Sequence, residues 1–115
     1  MSEEQDSLYV CNTNDVSEGE IICVSPDGDI NELAVYNVDG DYFVSDNLCT
    51  HGDAKLSEGD LDGHNVVCPF HLGEFDVRTG EPTLAPCSIK LRVYPAMIRD
   101  GGIFICPMKQ GSSGQ

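Results

Sequence analysis

The chain has 115 residues, 40% hydrophobic and 7% aromatic with no tryptophan, which is enough for one domain with a modest core and too apolar for wholesale disorder. No uncharged apolar run approaches the about 20 residues that a membrane helix needs. Twenty acidic against six basic residues give a formal charge of −14, a surface that repels phosphate backbones and anionic lipid and so argues against nucleic-acid and membrane partners.

The first seven residues, MSEEQDS, are acidic and polar and fit neither a secretory signal nor an Arg-rich transit peptide, which predicts a cytoplasmic location. Strand-like runs of β-branched and aromatic residues follow at 8–12, 20–24 and 32–37. Asp39-Gly40 then predicts a type I′ hairpin turn, with 42–45 as the returning strand. Further strands are expected at 64–67 after the Asp62-Gly63 turn, at 74–77 before Thr79-Gly80, at 89–98 with an interruption at Pro95, and at 103–106 after Asp100-Gly101-Gly102. The 57–60 stretch has room for one short turn. Short strands separated by turn residues predict an all-β, antiparallel sandwich or barrel. Residues 1–115 read as one domain with flexible tails at 1–7 and 108–115. The segment from about 46 to 86 is rich in Gly, Asp, His and Pro and has little strand pattern, so it needs another source of order, which a bound metal centre would supply.

Charge is divided unevenly. Residues 1–66 hold sixteen acids and one base, Lys55, whereas residues 67–115 hold four acids and five bases. An acidic half of this kind favours salt-sensitive encounters with basic protein partners, or serves solubility alone.

The irregular segment contains Cys49-Thr50-His51 and Cys68-Pro69-Phe70-His71, a C-x-H…C-x-x-H pattern that brings one thiol and one imidazole from each of two loops. Two Cys and two His suit tetrahedral zinc. They also suit an asymmetric diiron cluster in which two thiolates hold one iron and two imidazoles the other. Zinc fingers pair like ligands on each element, whereas here each loop mixes them.

The stretch CTHGDAKLSEGDLDGHNVVCPFHLGEFDVRTGEP resembles the Rieske box of the small ferredoxins that serve bacterial aromatic-ring-hydroxylating dioxygenases. The likeness runs from about Leu8 to Ile105 and takes in DNLCTHG, CPFHLGEFD, the TGEP turn and the 91–95 segment. It implies a Rieske fold with a cluster-binding subdomain at about 46–86 and one Rieske-type 2Fe-2S cluster. Cys49 and Cys68 would hold the inner iron, and His51 and His71 the outer iron through Nδ1, with their far ring nitrogens toward solvent. Rieske proteins of respiratory complexes carry a bridged extra Cys in each ligand loop; the corresponding positions here are Asp53 or its neighbours and Phe70, so no bridge is expected. The Ser and Tyr hydroxyl donors of those proteins correspond to Gly73 and Phe75. Fewer hydrogen bonds to the cluster sulfurs favour the oxidised state and predict a potential near the low end of the Rieske range, roughly −150 mV.

The likeness implies a one-electron carrier, with a ferredoxin reductase and a terminal oxygenase as transient partners. The acidic flank at Asp53, Glu58, Asp60 and Asp62 is expected to steer that docking electrostatically, and the chain is expected to be a monomer. An iron–sulfur redox sensor or assembly module and a Cys2His2 zinc module are the alternatives. A catalytic oxygenase needs a further site of two His and one carboxylate. Only His64 remains for it, so the chain is expected not to be an enzyme. His64 is expected at the surface. Cys11, Cys23, Cys87 and Cys106 are expected as small buried hydrophobes, with Cys87 in a segment covering the cluster. Phe70, Leu72 and Pro86 are expected to shield it. Arg78 is expected to pair with Glu74 or Asp76, or to stay solvated.

Overall fold

The run Leu33-Ala34-Val35-Tyr36-Asn37-Val38 has no exposed position, and such a strand must be covered on both faces. In the computed structural model, which describes residues 7–25, 32–48, 54–69, 73–84 and 90–106, this strand is β3 (Leu33–Val38), and its alternation separates two apolar cores. Ala34, Tyr36 and Val38 face a core with Ala54, Leu56, Val66, Cys68, Phe75, Val77 and Leu91. Leu33 and Val35 face the other, built with Val10, Cys11, Val16, Val44, Tyr94, Ile103 and Ile105.

Three small antiparallel sheets follow from that division. The central sheet has the order β2-β3-β4-β9, formed by β2 (Ile21–Val24), β3, β4 (Asp41–Asp46) and β9 (Val93–Tyr94). Against one of its faces lies β1-β11-β10, from β1 (Leu8–Asn12), β11 (Gly102–Ile105) and β10 (Ala96–Arg99). Against the other lies β5-β6-β7-β8, from β5 (Asp60–Asp62), β6 (Asn65–Val67), β7 (Glu74–Asp76) and β8 (Pro82–Leu84). The all-β, antiparallel expectation holds. The hairpin at Asp39-Gly40 forms as its turn chemistry requires: Val38 pairs with Asp41, and the two loop residues take φ 55° and 91°. The Asn37 Oδ1 accepts the Gly40 N–H at 2.9 Å and stiffens the turn.

Three elements differ from the sequence pattern. The expected long strand at 89–98 is two strands in two different sheets. Pro95 has no N–H to donate and sits where the chain crosses from β9, paired with β4, to β10, paired with β11. The 46–86 segment holds a four-stranded sheet of its own, because β5 and β8 form there by pairing with β6 and β7. Single 3-10 turns occupy Thr13–Asp15 and Leu56–Glu58, the second overlapping the turn expected at 57–60.

Candidate metal centre

The two segments that carry the expected ligands are bracketed by held backbone. The first leaves β4 through Asp46, Asn47 and Leu48, and Leu48 bridges antiparallel to Lys55, bracketing residues 49–54. The second is the tip of the β6–β7 hairpin. There Val67 pairs with Glu74, and the Cys68 N–H donates to the Gly73 carbonyl at 2.8 Å, bracketing residues 69–72. Ala54 and Leu56, which follow the first loop, and Cys68, which begins the second, are buried in the same core. That shared burial sets the bases of the two loops side by side.

Gly59 tightens the approach. A Cβ there would stand 2.0 Å from the Val67 carbonyl oxygen and 3.3 Å from the Pro69 Cδ. Its backbone, φ −91° and ψ −157°, suits any residue, so the demand for glycine is purely steric. Gly59→Ala is therefore expected to push the arm after the first loop away from the stem of the second. Overpacking of this kind costs about 1–3 kcal/mol, to be read as a lower thermal midpoint together with reduced iron per chain.

Of the four expected ligands, Cys68 lies within the described residues; Cys49, His51 and His71 lie outside them, as do Asp53, Phe70, Leu72, Pro86 and Cys87. Cys68 is fully buried as a free thiol, with no hydrogen-bond partner for its sulfur among the described residues. A soft sulfur held at the stem of a hairpin tip suits iron or zinc as a thiolate ligand. Gly73 and Phe75 bring no hydroxyl to this end of the fold; the Phe75 ring is fully buried in the core that holds Cys68. Leu48 and Leu84, each more than half or about half exposed at 56% and 50%, stand beside the two loop bases, Leu84 through its pairing with Glu74.

The remaining candidates divide. His64 is half-buried, not a free surface residue, and its ring meets Phe43 edge to face at 5.9 Å. Because this contact is to an aromatic ring, His64→Ala is expected to leave iron content unchanged and to cost about 0.5–1.5 kcal/mol of stability, checked by iron analysis beside thermal unfolding. Cys11 is buried, and burial, reinforced by Asp15, pushes its thiol up to about 11. Cys23 is exposed and Cys106 half-buried, against the expectation that both would be buried apolar filler. The reason for Cys23 is its place on β2 opposite Ala34, where the strand is an edge of the central sheet. Among the described residues no group of three or more His, Cys, Asp and Glu side chains is placed to hold an ion, so Cys11, Cys23 and Cys106 do not converge on a second site. Arg78 takes the Asp76 alternative: its Nε and a terminal nitrogen donate to the two carboxylate oxygens at 3.0 and 2.9 Å, which holds the Asp76 carboxyl below its ordinary range. Glu74 instead accepts from Asn65.

Three residues outside the ligand pattern hold the first loop. Asn47 is 1% exposed and bonds through both backbone and side chain. Glu32 accepts from the Asn47 Nδ2 at 3.3 Å and pairs with Lys55 at 3.4 Å. The one sequence signal for this arrangement is Lys55, the sole base in the first 66 residues.

A small three-sheet β fold, with the bases of the 49–54 and 69–72 segments set in one core, accords with an iron–sulfur protein of the Rieske type. The chain matches the Rieske [2Fe-2S] domain over residues 6–95 and belongs to that family. It is 46% identical over 102 residues to the ferredoxin component of the p-cumate 2,3-dioxygenase system of Pseudomonas putida, covering 87% of this chain and 85% of that one. The Sphingomonas yanoikuyae B1 ferredoxin superposes with a TM-score of 0.83 at 46% identity, covering 87% of this chain and 97% of that chain. A ferredoxin solved in complex with the oxygenase of carbazole 1,9a-dioxygenase superposes with a TM-score of 0.81 at 40% identity, covering 89% and 94%. The family's group is a 2Fe-2S cluster, so a diiron cofactor replaces zinc.

Proposed function

We propose that this chain carries single electrons from a reductase to a terminal aromatic-ring-hydroxylating oxygenase, with Cys49 and Cys68 holding the inner iron and His51 and His71 the outer iron of one cluster. The observation that carries the reading is the common anchoring of the two loops, with Cys68 buried among the same side chains as Ala54 and Leu56. Relatives that bear the name ferredoxin component, and a neighbour solved together with its oxygenase, support the partners. The cluster supplies a one-electron couple when bound.

The chain's own residues supply the rest. The thiolates of Cys49 and Cys68 would neutralise charge at the inner iron, and the neutral imidazoles of His51 and His71 would leave the outer iron easier to reduce. With no hydroxyl at Gly73 or Phe75, the potential is expected near the low end of the Rieske range, roughly −150 mV. Residues 46–86 act as the cluster-binding subdomain. Glu58, Asp60 and Asp62 are exposed along the arm that follows the first loop and steer a partner of opposite charge. The carrier works as a monomer in the cytoplasm. No helix among the described residues is long and apolar enough to cross a membrane. Contacts made for electron transfer are small, under about 1,200 Å².

The test is iron and zinc analysis of the purified protein, with an EPR spectrum after dithionite reduction. Two irons per chain and a rhombic signal of low average g are expected. An iron-free, EPR-silent and fully folded protein would overturn the reading. With a reductase and oxygenase pair, the transfer rate is expected to fall as salt shortens the screening length from about 10 Å at 0.1 M to about 3 Å at 1 M. A salt-independent rate would remove the acidic arm from docking.

A further inference from the structure

Asn47 stands two residues before Cys49, at the point where β4 gives way to the first ligand loop. Its surroundings exceed what a turn residue needs. Its N–H donates to the Glu32 carbonyl at 3.1 Å, and its carbonyl accepts the Leu56 N–H at 2.7 Å. Its Oδ1 accepts the Ser57 N–H at 2.8 Å, and its Nδ2 reaches the Glu32 carboxylate at 3.3 Å and the Cys23 sulfur at 3.5 Å. Glu32 in turn pairs with Lys55, the residue that bridges Leu48 on the returning side of the loop. Both stalks of the loop are thereby tied to one carboxylate and one buried amide.

We infer that Asn47 is the positioning residue of the first cluster-binding loop, acting chiefly through its Oδ1 bond to the Ser57 N–H. The inference rests on the proposal that Cys49 and His51 are ligands. Magnitudes choose among its contacts. The Glu32–Lys55 pair has both side chains more than 40% exposed, and such pairs contribute little and are screened by salt. The contact to sulfur is weak, because a thiol sulfur is a poor acceptor. The Oδ1 bond is short and joins the buried Asn47 to a backbone N–H, so its loss strands a donor beneath the loop. Because the 3-10 turn carrying Ser57 also carries Leu56 into the core with Cys68, this bond couples the first loop to the stem of the second. It thereby sets where the two ends of the first loop, Leu48 and Lys55, stand relative to Cys68.

The test compares three variants of the full chain with wild type. Asn47→Leu keeps the branching at Cγ and the number of heavy atoms but lacks the acceptor. The double variant Glu32→Gln with Asn47→Asp keeps an acceptor for Ser57 and avoids facing two carboxylates. Ile103→Val trims the core on the far face of the central sheet. The readouts are the g-values and linewidths of the reduced protein, the rate of iron release to a chelator, and the thermal midpoint. Asn47→Leu is expected to shift and broaden the g-values and to release iron roughly tenfold faster. The double variant is expected to restore wild-type g-values. Ile103→Val is expected to lower the midpoint alone.

Wild-type g-values in Asn47→Leu, with iron release no faster than in Ile103→Val, would overturn the inference. Should Leu at this position prevent folding, the double variant decides, since altered g-values there would show that an acceptor for Ser57 is not enough. A wild-type protein without iron or signal would overturn the ligand proposal instead, so the two failures are distinct.

Discussion

Replacing Cys68 with alanine is expected to abolish iron binding and the visible colour that goes with it, while the central and outer sheets remain formed. The sulfur is fully buried at the stem of the second loop. On the proposed assignment, its removal would take one thiolate from a set of four ligands and leave the inner iron with a single sulfur from the protein. The packing cost of losing one buried sulfur atom is small beside the loss of the ligand, because metal binding free energy is folding free energy for the segment it orders. Cys11→Ala is the matched control. Cys11 is also a buried thiol, but it packs in the core on the opposite face of β3, and it is expected to keep full iron. Iron analysis and the absorbance spectrum check both variants. A Cys68→Ala protein with two irons and an unchanged spectrum would remove the ligand assignment.

Much of this arrangement was legible in the sequence because it is written in local chemistry. β1, β2, β3, β4, β6 and β7 fall where β-branched and aromatic residues cluster, and the Asp39-Gly40 turn is specified by two adjacent residues. The Cys/His pattern from which the ligands are proposed is likewise local to each loop. What was not legible depends on contacts between distant residues. β5 reads Asp-Leu-Asp and β8 begins with Pro82, and neither looks like a strand alone; each forms because β6 and β7 offer an edge. Pro95 signalled an interruption, yet that the chain changes sheets there emerges only from the partners on either side. The exposure of Cys23 follows from the sheet order, which places β2 at an edge. The Asn47, Glu32 and Ser57 bonds span 15 and 10 positions and leave no periodic trace.

The sheet beneath the ligand loops has its own keystone, and the largest stability loss from a residue that is not a ligand is expected at Phe75. Its ring is fully buried, it sits opposite Val66 and Pro82 in the register of β7, and it shares a core with Cys68, Val77 and Leu91. Phe75→Ala removes the aromatic transfer term and leaves a cavity that the flanking strands, each of three residues, cannot close; such changes cost about 3–5 kcal/mol. A domain of this size has roughly 5–15 kcal/mol in total. At about 4 °C per kcal/mol the thermal midpoint is expected to fall by roughly 12–20 °C. Phe104→Ala supplies the contrast. That ring is half-buried on the outer sheet, against Tyr9 and beneath the Arg99 guanidinium at 4.6 Å, where aromatic and cation–π contacts amount to about 0.5–1.5 kcal/mol each. Since β6 and β7 carry the second ligand loop between them, Phe75→Ala is also expected to speed iron release, and Phe104→Ala is not. Equal midpoints for the two variants would show that the small sheet contributes no more than the surface does, and the coupling of its core to the cluster would have to be abandoned.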